Sequence, residues 1–129
     1  MKKILWVSKN IPLDSQIKYL KDIFGEDCEI TQDAKPFSSA HDIAKRFEKG
    51  SYDEMVLIAP ISVCRILTDM GYRPLWSEMS RTSKGDSEIS VSGMSDRVTG
   101  VIRHYRFIKF KRLEAVDLIF SDLAIDKST

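Results

Sequence analysis

An α/β fold, with helices covering a mainly parallel sheet, is expected from three features of this chain. The first is an apolar run, Met55 to Ile61, bounded by Tyr52-Asp53-Glu54 and by Pro60. A short, continuously apolar run between turn residues reads as a strand buried on both faces, which is the signature of a parallel sheet under helices. The second is the alternation of such strands with stretches of 10–12 residues whose apolar positions recur at helical spacing. The third is glycine at the end of each such stretch: Gly25, Gly50 and Gly71.

The elements follow in order. Lys3 to Val7 is the first strand. Pro12 and Asp14-Ser15 supply turn chemistry and an N-cap, after which Ile17, Leu20, Ile23 and Phe24 form an apolar stripe closed by Gly25. Cys28 to Thr31 is a second, shorter strand. Ser39 with Asp42 three residues on resembles a capping box and opens a helix whose stripe is Ala40, Ile43, Ala44 and Phe47. Glu54 to Ala59 is the buried strand. Ser62 is placed as N-cap of a third helix with Val63, Ile66, Leu67 and Met70 inward, and Arg73 to Met79 is a fourth strand. Right-handed crossovers then give the strand order 2-1-3-4, Rossmann-like or flavodoxin-like, as a small three-layer domain.

Composition changes at Arg81. Residues 81–100 hold five serines and three glycines with few apolar residues, and are expected to be a mobile loop or flap, although Glu88 to Ser92 alternates like a weak strand. Ile102 to Arg112 reads as a long C-terminal β element. Residues 113–120 read as extended with a bend rather than helical, and 121–129 as a tail. All 129 residues are taken as one domain.

Composition bounds the function only loosely. Net charge is +1, with 43% hydrophobic and 30% charged residues, so no global field calls for nucleic acid or membrane. No apolar stretch approaches the length of a membrane span, and Ile4 to Val7 is too short for a signal-peptide core; a cytoplasmic protein is expected. Cys28 and Cys64 lack CxxC partners, so neither a disulfide framework nor a metal site is expected, and no cofactor is implied. The sequence contains neither GxGxxG nor GxxxxGK[ST].

Two constellations remain. In a 2-1-3-4 sheet the crevice opens at the carboxyl ends of strands one and three, where chain direction of the crossovers reverses. The loops there carry Ser8, Lys9 and Asn10, and Ser62; a helix N-terminus with a nearby cation suits a phosphate or carboxylate. The second constellation is the basic stretch Arg97 to Leu113, in which Arg103, His104 and Arg106 stand among Tyr105, Phe107 and Phe110 with no acidic residue. Strict alternation puts Arg103, Tyr105, Phe107, Lys109 and Lys111 on one face and the remainder on the other, so neither face is clean. Basic groups interleaved with aromatics suit nucleic acid or nucleotides, while an edge strand also uses such residues to block pairing.

At the level of architecture alone the chain resembles small Rossmann-like regulatory domains, including those that sense nucleotides in CRISPR-associated proteins. That resemblance implies ligand sensing, with no motif matched residue by residue. The leading expectation is a non-enzymatic binding domain for a phosphate-bearing ligand, nucleotide or nucleic acid. One alternative is a protein-interaction module that forms a homodimer through the C-terminal edge strand. Another is a small phosphate-acting enzyme using His104 or Lys9.

Overall fold

The computed structural model describes residues 1–91, 102–117, 121 and 123. Six strands form one sheet in the order β2-β1-β3-β4-β6-β5, with three helices. The strands are β1 (Lys3–Val7), β2 (Glu29–Asp33), β3 (Glu54–Leu57), β4 (Leu75–Thr82), β5 (Ile89–Val91) and β6 (Arg103–Arg112). The helices are α1 (Asp14–Phe24), α2 (Ala40–Lys49) and α3 (Ile61–Asp69).

Alternation along β1 and β3 divides the core in two. Leu5, Val7, Met55 and Leu57 face α2 and α3, where they meet Ile43, Ala44, Cys64 and Leu67. Ile4, Trp6 and Val56 face the other way, toward Leu20 of α1 and toward Leu75, Phe107 and Phe110. Side chains from successive residues of a strand therefore lie in different cores, which is why these runs are apolar throughout.

The inner order 2-1-3-4 is parallel, as expected. The sheet as a whole is mixed and strongly curled, and β3 and β4 share one register pair, Val56 with Leu75, before diverging. From there β4 pairs antiparallel with β6, and β5 with β6. The expectation of a mainly parallel Rossmann-like sheet thus holds for the inner strands only. Of the outer strands, β6 packs against α1 through its Phe107 and Phe110 rings, which meet Tyr19.

Four local expectations are corrected. Part of the segment taken as a flap, 81–100, is ordered: β4 runs to Thr82, a 3-10 turn spans Lys84–Asp86, and β5 lies in the weakly alternating stretch; residues 92–101 lie outside the described residues. The C-terminal strand β6 is not the sheet edge, because β5 lies beside its first residues. Ser62 does not cap α3: Pro60 holds that position, with no side-chain hydrogen bond, and Ser62 is exposed in the first turn. The stripe of α1 is rotated, with Gln16 and Leu20 buried and Ile23 exposed, and that of α3 likewise, with Cys64, Leu67 and Thr68 buried while Ile66 and Met70 are exposed.

Ser39 does cap α2, accepting a hydrogen bond from the Asp42 N–H at 3.2 Å, and Asp42 Oδ2 accepts one from the Ser38 N–H at 3.2 Å. The chain after β6, residues 113–117, has no regular secondary structure; Leu113 and Val116 pack against the core under α2 and α3. Residues 118–120, and all of the expected tail except 121 and 123, lie outside the described residues.

Candidate functional site

The loop after β1 is held by three hydrogen bonds. Trp6 Nε1 donates to the Asn10 carbonyl at 2.9 Å, the Asn10 N–H donates to Ser8 Oγ at 3.0 Å, and Gln32 Nε2 donates to the Ser8 carbonyl at 3.0 Å. The indole of Trp6 is itself buried in the core, so the loop hangs from a rigid anchor. The Ser8 hydroxyl shapes the loop as an acceptor and retains its own proton for donation.

Two cavities flank this loop. The first, about 300 Å³, opens at the carboxyl ends of β1 and β3 on the α1 side, between the β1–α1 loop, Ile58 and Ala59, and the curled strands β4, β5 and β6. Its wall includes Trp6, Leu57, Trp76, Met79, Ile89 and Tyr105, and none of the described residues that line it is charged. Its polar groups are few. Gln16, 5% exposed, accepts from the Leu13 N–H at 2.8 Å through Oε1 and donates through Nε2 to Ser77 Oγ at 3.0 Å. Ser77 Oγ in turn lies 3.4 Å from Met79 Sδ. With those groups occupied, the Asn10 carboxamide, the Tyr105 hydroxyl and the Trp76 indole N–H are the polar side-chain groups left to orient a ligand among the described lining residues. The divergence of β3 from β4 makes this space: a sheet paired along its whole length would have closed it.

The second cavity, about 350 Å³, lies between the carboxyl ends of β1 and β2 and is lined by Ser8, Lys9, Asn10, Asp33, Lys35 and Phe37, among others. Asp33 closes β2 there, and its carboxylate is 3.5 Å from Arg46 Nη1. Arg46 also donates to the Lys35 and Pro36 carbonyls at 2.8 and 2.7 Å, which fixes the wall of the crevice. Asn10 and Ile58 line both cavities, so the apolar and the charged space adjoin.

Of the residues named from sequence, Ser8, Lys9 and Asn10 are thus brought together. Ser62 lines neither cavity. Arg103, His104 and Arg106 line neither cavity. Beyond them in β6 lies a bulge. Glu78 pairs with Lys109 but Met79 with Phe107, leaving Ile108 as an extra residue on β6. The extra residue resets the alternation. Tyr105, Phe107 and Phe110 now share the α1 face, and His104, Arg106, Lys109 and Lys111 share the opposite face with Trp76, Glu78 and Ser80 of β4. Glu88 supports the bulge: its Oε1 accepts the Phe107 N–H at 2.8 Å, and its Oε2 accepts from Ser15 Oγ of α1.

Sequence reasoning passes over Gln16, Ser77, Met79, Ile89 and Tyr105 as lining residues. A glutamine within an amphipathic stripe was a usable signal; the others depend on the curl of the sheet. Trp76 is 40% exposed although it is not on an edge strand.

Nucleophilic and metal chemistry gain little from the geometry. Burial pushes the Cys64 thiol up from its ordinary value, and Cys28 likewise, so neither is poised as a thiolate. His104 Nδ1 lies 2.7 Å from Ser90 Oγ in an exposed position, and no carboxylate among the described residues orients the ring. Among the described residues there is no cluster of three or more metal-ligating side chains, and no helix is long and apolar enough to cross a membrane. No family model, curated protein or solved structure matches this chain.

Proposed function

We propose that this domain binds a nucleotide-class ligand, an aromatic body carrying an anionic group, without transforming it. The observation that carries the reading is the adjacency of an uncharged, aromatic-walled cleft and a crevice bearing Lys9 and Lys35, with Asn10 and Ile58 between them. An apolar cleft of a few hundred Å³ with one or two convergent polar groups is the usual form of a small-molecule site. The inner strands keep the Rossmann-like order, and their carboxyl ends are where such sheets take ligands. A base would fill the cleft beside Tyr105 and Trp76, and the phosphate would sit on the Ser8–Asn10 loop near Lys9. Asp33 would accept from a ribose hydroxyl, with Arg46 offsetting its charge.

The test is calorimetric titration and thermal shift with nucleosides, nucleotides and inorganic phosphate. A ligand at about 100 times its Kd stabilises the fold by about 2.7 kcal/mol. The nucleotide should outbind both its nucleoside and phosphate. Lys9→Ala should weaken the nucleotide while sparing the nucleoside. Ile58→Glu, at an exposed position between the two cavities, should abolish nucleotide binding without loss of stability. Stabilisation by no nucleotide, or binding indifferent to both substitutions, would overturn the reading.

A further inference from the structure

The outer face of β4 and β6 shares Trp76 with the wall of the cleft and otherwise carries a different kind of surface. The bulge at Ile108 gathers His104, Arg106, Lys109 and Lys111 on one side of the sheet, away from the aromatic rings that face α1. On a chain with net charge +1 this is a local concentration of cations rather than part of a general excess. The β4 residues alongside are Trp76, Glu78, Ser80 and Thr82, so Glu78 is the carboxylate that β4 sets against the row, while Asp117 lines a cavity with Trp76 and Lys111 at its end. Glu78 takes Lys111 at 3.3 Å, a half-exposed pair that salt screens readily. Arg106 and Lys109 are exposed and have no carboxylate partner among the described residues. Trp76 stands at the end of the same row, across from Lys111, with 40% of its surface exposed.

Cations in a line along a strand, with an exposed indole in the row, match what an extended polyanion of stacked rings requires. The cations follow the phosphates, and the indole offers a platform to an unpaired base. An acidic polypeptide would use the charges but has no use for the indole platform. A duplex would keep its bases stacked inside. We infer that this face binds single-stranded nucleic acid, through Arg106, Lys109 and Lys111 to the backbone and Trp76 to a base.

The experiment is fluorescence anisotropy of labelled single-stranded oligothymidylate and oligouridylate, a duplex of equal length and polyglutamate, titrated with the full chain from low to moderate salt. Three phosphate contacts predict a slope of log K against log salt of about −2 for a single strand. The paired reversal Arg106→Glu with Lys109→Glu, at exposed positions, should cost at least tenfold in affinity and bring the slope to about −0.7. Trp76→Ala should weaken binding by roughly 5- to 100-fold, while Trp76→Phe retains most of it. Ile58→Glu, which blocks the cleft, should leave oligonucleotide binding unchanged, so that failure of one site is distinguishable from failure of the other. No binding overturns the inference, as does equal binding of duplex or polyglutamate. So does a folded double-reversal variant, with an unaltered thermal melt, that still binds.

Discussion

The bulge in β6 can be tested through stability alone. In an unbulged strand, side chains alternate strictly, so Phe110 and Ile108 would share one face and Phe107 the other. One of the two phenylalanines would then be exposed and cheap to truncate. With Ile108 as the extra residue, both rings enter the same core: Phe107 is 9% exposed, Phe110 7%, and Ile108 41%. The rings are also mutually engaged. Phe110 meets Phe107 at 4.9 Å between centroids, Tyr19 at 5.7 Å and Trp6 edge-on at 6.1 Å, and Phe107 meets Tyr19 at 5.6 Å. Truncating a buried phenylalanine to alanine costs about 3–5 kcal/mol. Phe107→Ala and Phe110→Ala should each fall at about 3–4 kcal/mol, a drop of roughly 10–15 °C in Tm for a chain of this size. Ile108→Ala should cost under about 0.5 kcal/mol. Because the two rings touch, the double variant should depart from the sum of the singles by about 0.5–1.5 kcal/mol. Urea denaturation followed by circular dichroism measures all four. A costly Ile108→Ala together with a near-neutral Phe107→Ala would refute the bulge and the division of faces built on it.

Further expectations follow from other contacts. Glu54 is 14% exposed and grips Arg112 with both oxygens, one of them 3.2 Å from Nη2, and so joins β3 to the end of β6. Glu54→Gln should cost about 1–2 kcal/mol in urea denaturation, less than a fully buried pair because Arg112 is partly solvated. The Ser38 N–H hydrogen bond, helped by Arg46, holds the Asp42 carboxyl below the usual range. Asp42 therefore adds stability that is present above its unfolded value of about 3.9 and is lost as pH falls through its lower folded value. A pH series of melts should show that acid limb, and Asp42→Asn should flatten it. Neither Cys28 nor Cys64 should react with Ellman's reagent in the folded protein at pH 8, and both should react in urea, because burial keeps both thiols protonated and inaccessible. A Cβ added at Gly50 would lie 2.1 Å from Tyr52 Cε2, so Gly50→Ala should destabilise by about 1–3 kcal/mol through displacement of that ring.

Much of the inner fold is legible in the sequence because it rests on local rules. The Ser39 cap, the stripe of α2 and the doubly buried strands β1 and β3 all follow from spacings within a dozen residues, and those spacings lead to the order 2-1-3-4. The loop of Ser8, Lys9 and Asn10 was likewise placed at a strand end by chain order, and the structure brings those three residues to one crevice. What the tertiary structure alone decided is non-local. The faces of α1 and α3 turned on which neighbours covered them, so Gln16 is buried through its bonds to Leu13 and Ser77, while Ile23, Ile66 and Met70 remain in solvent. Above all, one extra residue at Ile108 changes which side chains share a face, and period-two reading has no means of sensing a bulge whose support comes from Glu88, nineteen positions before Phe107. The cleft depends on a second non-local event. It exists because β4 leaves β3 after a single register pair and curls over α1, a choice made by packing between segments far apart in the chain rather than by the pattern within either.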